Sequence, residues 1–265
     1  IAWICLAISL TNPTWGSQAT RIQKSGNALC FVFDISQSML AQDVEKTLGN
    51  TRLESAANYA QILLAHLPQT EVASVITKGS AIIAVPLTND FSSIYNLTQN
   101  LSPQLISTIG SNPGNGISVA LKSFPSQVAK HSSIIIFTDG GESFDILKEA
   151  SLEAAKCGVN IIFVGFGSTE GSYILAGDGK TKIKTALEEQ KLIDICNYVN
   201  SKTPSETNFA TYINPLKKGS ANKIINIVQK DFSSTSEEKG IEIQDIQRHG
   251  IFIFAALFFL CLGFI

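Results

Sequence analysis

Two aspartates and a run of hydroxyls stand where they can hold a hard cation. Asp34 opens the pattern Asp34-Ile35-Ser36-Gln37-Ser38, and alternate positions of a turn can aim three of its oxygens at one point. Asp139 closes a second apolar run that begins at residue 133. Between them the polar loop 107–114 (Ser-Thr-Ile-Gly-Ser-Asn-Pro-Gly) offers a further hydroxyl. Carboxylate and hydroxyl oxygens, with no sulfur or imidazole among them, suit Mg²⁺, or Mn²⁺ or Ca²⁺, rather than zinc. Asp-x-Ser-x-Ser alone is also an ordinary helix cap or Asx turn. What separates the two readings is where the surrounding elements put it.

Residues 28–33, 133–137 and 159–166 are nearly continuous apolar runs, the pattern of strands covered on both faces of a parallel sheet. Residues 72–77 and 81–87 flank Lys78-Gly79-Ser80 and predict an antiparallel hairpin at a sheet edge, where Pro86 costs no ladder bond. Thr51-Arg52-Leu53-Glu54 has capping-box spacing ahead of Leu53, Ala57, Ala60, Leu64 and Leu67 at helical period. Further helices are expected over 90–101, 115–124, 144–157, 187–199 and 222–232, a last strand over 208–213, and a hairpin insertion over 172–184 turning at 177–179. Alternation of this kind predicts an α/β doubly wound, mostly parallel sheet. In such sheets ligands bind beyond the carboxyl ends of the strands, which is where Asp34 and Asp139 fall.

Charged residues are 16% of the 265 and apolar residues 45%, against roughly 25% charged in a soluble domain. The surplus apolar character lies in the uncharged end segments 1–10 and 251–265. Each is shorter than the roughly 20 residues a spanning helix needs. Both are expected to be parts of membrane helices, with Arg248 and His249 as interfacial anchors; for the first, a signal-peptide core cleaved near Ser17-Gln18-Ala19 is the rival reading. The expected organisation is an N-terminal membrane segment over 1–15, one α/β domain over 16–232, a linker and juxtamembrane segment over 233–249, and a second membrane segment over 250–265.

A net charge of −2 supplies no field for nucleic acid. The five cysteines form no CxxC pair or Cys/His cluster, and no GxGxxG or GxxxxGK[ST] loop is present. A Mg²⁺-dependent phosphohydrolase of the haloacid-dehalogenase type also sets aspartates at strand ends. It needs a second Asp two residues after the first, and Ser36 stands there. A binding module, not an enzyme, is the expectation; a metal-free structural anchor or adhesin is the other alternative.

With the residues in view, the pattern DISQS, GS, TDG resembles the metal-ion-dependent adhesion site of von Willebrand factor A domains. The stretches 34–44, 51–55, 86–91, 101–103 and 137–140, with Leu10-Thr-Asn-Pro13-Thr-Trp15, resemble membrane proteins of bacterial aerotolerance (Bat) operons. The resemblance implies metal ligands Asp34, Ser36, Ser38, Asp139 and a second-loop hydroxyl. The family uses Thr in a Gly-Thr pair there; Gly110-Ser111 takes that place, with Thr108 the alternative. It also implies an open coordination position for an Asp or Glu of a partner protein, with Gln37, Met39, Asp43 and Glu142 around the mouth as partner contacts. Other A-domain membrane proteins and a MoxR-type AAA+ ATPase system are the implied partners, at the bacterial inner membrane with the A domain on the periplasmic side.

Overall fold

The structure, a computed structural model, describes residues 2–11, 13–22, 28–45, 49–67, 70–125, 132–141, 143–175, 180–203, 208–235 and 240–263. The chain divides into two compact units, residues 1–24 with 237–265, and residues 25–236.

In the first unit, helices α1 (Ala2–Leu10) and α8 (His249–Gly263) pack together, and strands β1 (Thr14–Ile22) and β10 (Gly240–Gln247) pair antiparallel from Thr14↔Gln247 to Ile22↔Gly240. Trp15 meets Phe252 edge-on, with centroids 5.9 Å apart. At 1.5 Å per residue the helices are about 14 and 23 Å long, less than the roughly 30 Å of a bilayer core. No helix among the described residues is long and apolar enough to cross a membrane. Two expected boundaries shift. Residues 16–22 pair with residues 240–247 instead of opening the α/β domain, and 240–247 is a strand, not a linker. The alternation Ile241-Glu242-Ile243-Gln244 carries the period of two that a strand requires.

The second unit holds a six-stranded sheet. Its strands are β2 (Ala28–Asp34), β3 (Glu71–Thr77), β4 (Ala81–Thr88), β5 (Ser133–Thr138), β6 (Asn160–Gly165) and β9 (Ala210–Ile213), in the order β4-β3-β2-β5-β6-β9. Only the β3–β4 pair is antiparallel, and it puts Pro86 on the edge strand. The chain leaves β2 toward β3, while β5 lies on the other side of β2. That reversal is the topological switch point of the sheet.

Both faces are covered, which explains the unbroken apolar runs. Leu29, Phe31, Phe33, Ile135 and Phe137 face helices α2 (Arg52–His66), α3 (Phe91–Gln99) and α7 (Ser220–Thr235). Cys30, Val32, Ile134 and Ile136 face α4 (Pro113–Ser123), α5 (Phe144–Lys156) and α6 (Glu189–Lys202). Phe33 stacks on Phe137 at 4.9 Å, one residue before Asp34 and two before Asp139. The Thr51–Glu54 capping box is present and starts α2 at Arg52. The inserted hairpin is β7 (Ser172–Leu175) paired with β8 (Lys182–Thr185); the turn expected at 177–179 lies outside the described residues.

Cys30 is fully buried at the centre of β2, and burial pushes its thiol up to about 12. A thiol so far from ionisation and from water is a poor nucleophile. A water-soluble maleimide is expected to label exposed Cys157 within minutes and to leave Cys30 unlabelled until the domain unfolds. Labelling of both at one rate would contradict the placement of β2.

Candidate metal centre

Asp34 is the last residue of β2 and fully buried, a position a carboxylate holds only with partners. It has three. Oδ1 accepts from the Ser36 amide at 2.9 Å, and Oδ2 accepts from Ser111 Oγ at 3.0 Å and Thr138 Oγ1 at 2.8 Å. Burial, then the negative charge of Asp139, push the Asp34 carboxyl up to about 6, against the hydrogen bonds that favour its ionised form. A short 3₁₀ turn over Gln37–Leu40 follows and brings Ser36 Oγ within 3.0 Å of Ser38 Oγ.

The site therefore assembles Asp34, Ser36, Ser38, Ser111 and Asp139 at the switch point between β2 and β5. Ser36, Ser38, Ser111 and Asp139 line a cleft of about 660 Å³. Of the two second-loop hydroxyls, Ser111 reaches Asp34, whereas Thr108 Oγ1 is held by the Ser80 amide at 3.0 Å and Ser80 Oγ at 2.9 Å. Among the described residues no group of three or more His, Cys, Asp or Glu could hold a metal. Two carboxylates crowded together with three hydroxyls fit a hard divalent cation, which would relieve the charge that burial and Asp139 impose on Asp34.

Two residues escape a reading by motif. Thr138 sits one step past the Phe33↔Phe137 pair, so its contact with Asp34 depends on strand register; a hydroxyl just before the second aspartate was the available signal. Arg52, at the start of α2, is fully buried. Its Nε and Nη2 grip the two oxygens of Asp43 at 2.7 and 2.6 Å, and Nη1 donates to Asp139 Oδ2 at 2.6 Å and Thr185 Oγ1 at 3.1 Å. Burial opposes the charge, but the hydrogen bonds to Asp43 and Asp139 together with the charges of both acids outweigh it, and the guanidinium is held above its usual range. Gly167 makes the room: a Cβ there would lie 2.5 Å from Arg52 Nε, and its φ of +125° suits glycine alone.

The expected partner contacts divide. Gln37 lines the cleft. Met39 does not reach it, because the 3₁₀ turn directs its side chain into the core, where it is fully buried. Asp43 is also removed from the mouth, since both its oxygens are taken by Arg52. Glu142 lies outside the described residues.

Comparison with known proteins agrees with this geometry. Residues 29–142 match the family model of the von Willebrand factor type A domain. The crystal structure of BatB from Bacteroides thetaiotaomicron is similar with a TM-score of 0.66 and 27% identity, over 78% of this chain and 98% of that one. An aerotolerance-related membrane protein from Bacteroides fragilis is similar with a TM-score of 0.63 and 24% identity, over the same shares. An uncharacterized protein of Borreliella burgdorferi is 27% identical over 174 residues, 64% of this chain; the chain spans about half the length of that curated relative, 49%. With the strand order, the paired strand-end aspartates and these likenesses in agreement, the chain contains a von Willebrand factor type A domain, similar in structure to that of BatB.

Proposed function

We propose that the chain is a membrane-anchored protein-binding module whose grip depends on a divalent cation, Mg²⁺ foremost and Mn²⁺ or Ca²⁺ in its place, and that it performs no catalytic turnover. One observation carries the reading: five oxygen donors from three separate loops converge beneath an open cleft at the switch point of the sheet. The hydroxyls of Ser36, Ser38 and Ser111 and the carboxylates of Asp34 and Asp139 would hold the ion. Bound there, it supplies a Lewis-acidic position for a carboxylate. The two carboxylates balance the charge of a divalent ion and the other three donors are neutral hydroxyls, so a coordination position left open, rather than a net charge, is what an Asp or Glu of the partner would take. Thr138 and the Ser36 amide orient Asp34, and Arg52 orients Asp139.

The anchoring rests on composition. Trp3, Leu10, Phe254, Leu257 and Phe258 are exposed on α1 and α8, apolar surface that suits lipid. A bacterial inner-membrane location with the A domain in the periplasm, and work with other A-domain membrane proteins and a MoxR-type AAA+ ATPase system, follow the likeness to Bat proteins.

The test is Mn²⁺ affinity and capture of carboxylate-bearing peptides by the full chain in detergent, with and without chelator. Ser111→Ala is expected to weaken both about tenfold, the order of one lost charge-linked contact. Ser111→Thr should preserve them, and Thr108→Ala should leave them unchanged. Loss in Thr108→Ala with Ser111→Ala silent would reverse the ligand assignment. Mg²⁺-dependent phosphate release that is lost in Asp34→Asn would favour the phosphohydrolase reading.

A further inference from the structure

The cleft above the metal centre has apolar walls that the binding of an ion and a carboxylate does not use. On one side stands Ile109, 94% exposed and two residues from Ser111. It is not exposed for want of structure. Asn112 N donates to the Lys78 carbonyl at 2.7 Å, Thr77 Oγ1 to the Asn112 carbonyl at 2.8 Å, and Lys78 Nζ to the Pro103 and Ile106 carbonyls at 2.9 and 3.2 Å. The turn between β3 and β4 presses against this loop so closely that a Cβ on Gly79 would fall 2.1 Å from the Ile109 carbonyl oxygen. The loop thus holds a large apolar side chain in water beside the site, forgoing the burial that stabilises isoleucines elsewhere in the fold.

On the other side the β7–β8 hairpin sets Ile174 opposite Ile183 on one face of its ladder, and both line the cleft. The hairpin is fixed at its base, where Arg52 bonds both the hydroxyl and the carbonyl of Thr185 and the Leu187 amide donates to the Ser168 carbonyl. The charge of its described residues is one-sided. Lys182 and Lys184 are exposed and have no ion-pair partner among the described residues, and Lys184 lines the cleft. Glu188, the carboxylate at the rim, is engaged by Lys191 at 3.2 Å.

We infer that this cleft takes an extended segment of a partner protein in which the ion-binding Asp or Glu is flanked by apolar side chains, Ile109 receiving one flank and Ile174 with Ile183 the other. The unpaired lysines favour further acidic residues on the side of the hairpin. The inference rests on the metal-dependent reading above and adds to it what the partner must look like.

The probe is a displayed library of short peptides with a fixed central Glu and random flanks, selected on the Mn²⁺-loaded full chain in detergent beside a matched library with Gln at the centre. The expected result is enrichment of apolar residues next to Glu, abolished by chelator and absent from the Gln library. Ile109→Ser and Ile183→Ser should each cut capture of the enriched peptides about tenfold, as loss of an apolar anchor does, while Mn²⁺ binding stays unchanged. Both side chains are exposed enough for the variants to fold. Capture that needs Glu and Mn²⁺ but shows random flanks, or that survives both isoleucine changes, would overturn the apolar walls and leave the metal site standing. Equal capture of the Glu and Gln libraries with Mn²⁺ bound would overturn both.

Discussion

Asp34→Asn is expected to leave the metal-free protein at least as stable as the wild type at pH 7, and to remove all stabilisation by Mn²⁺ or Mg²⁺. The amide keeps an oxygen for the Ser36 amide proton, and the Ser111 and Thr138 hydroxyls can rotate to meet its NH₂ group. What it loses is a buried charge beside Asp139. The Asp34 carboxyl is pushed up to about 6 in the fold, against about 4 in an unfolded chain. The folded form therefore binds the proton more tightly, so the group's stabilising contribution is present below about pH 4 and is lost as the pH rises through about 6. Across that window it amounts to on the order of 3 kcal/mol. In chelator, acidification from pH 7 to pH 5 should raise the melting temperature of the wild type relative to Asp34→Asn, with the difference shrinking when Mn²⁺ is added at pH 7. A wild type and variant with parallel pH profiles would show that Asp34 is ionised without penalty. Asp34→Ala is the poorer test, since it orphans three buried donors at once.

Arg52→Met is expected to be among the most damaging single changes in the domain, at about 3–5 kcal/mol. The guanidinium is fully buried and answers two carboxylates, Asp43 with two bonds and Asp139 with one. Removing it leaves both acids facing each other across a void, beside the already strained charge of Asp34. Lysine restores a charge but not the fork, so Arg52→Lys should recover less than half of the loss. Pairing Arg52→Met with Asp43→Asn should cost less than the sum of the single changes, because each removes the other's uncompensated partner. Urea unfolding midpoints decide the matter. A loss under about 1 kcal/mol in Arg52→Met would mean that the network is no more than a surface ion pair.

Much of the α/β domain was legible because its strands are covered twice. A strand buried on both faces reads as an unbroken apolar run, and residues 28–33 and 133–137 could be nothing else at that length. Their ends put Asp34 and Asp139 at one mouth of the sheet. Contacts that depend on register or on a distant loop were not legible. Thr138 meets Asp34 only through the β2–β5 alignment, and Arg52 read as one more polar residue in a helix cap until the fold set Asp43 and Asp139 around it. For Met39 the sequence misleads, because a loop residue next to a polar motif suggests solvent, whereas a 3₁₀ turn carries it beneath its own serines. The β1–β10 pair is hidden from the sequence for another reason: its strands are separated by nearly the whole chain, and polar residues between isoleucines resemble a linker.

A site for one hard cation formed by Asp34, Ser36, Ser38, Ser111 and Asp139 must bind that ion stoichiometrically. Electron paramagnetic resonance of Mn²⁺ added to the full chain in detergent counts bound ions directly. The expected result is one Mn²⁺ per chain, displaced by excess Mg²⁺ and absent in Asp34→Asn. Binding that survives Asp34→Asn at wild-type strength, or no stoichiometric binding in the wild type, would contradict it.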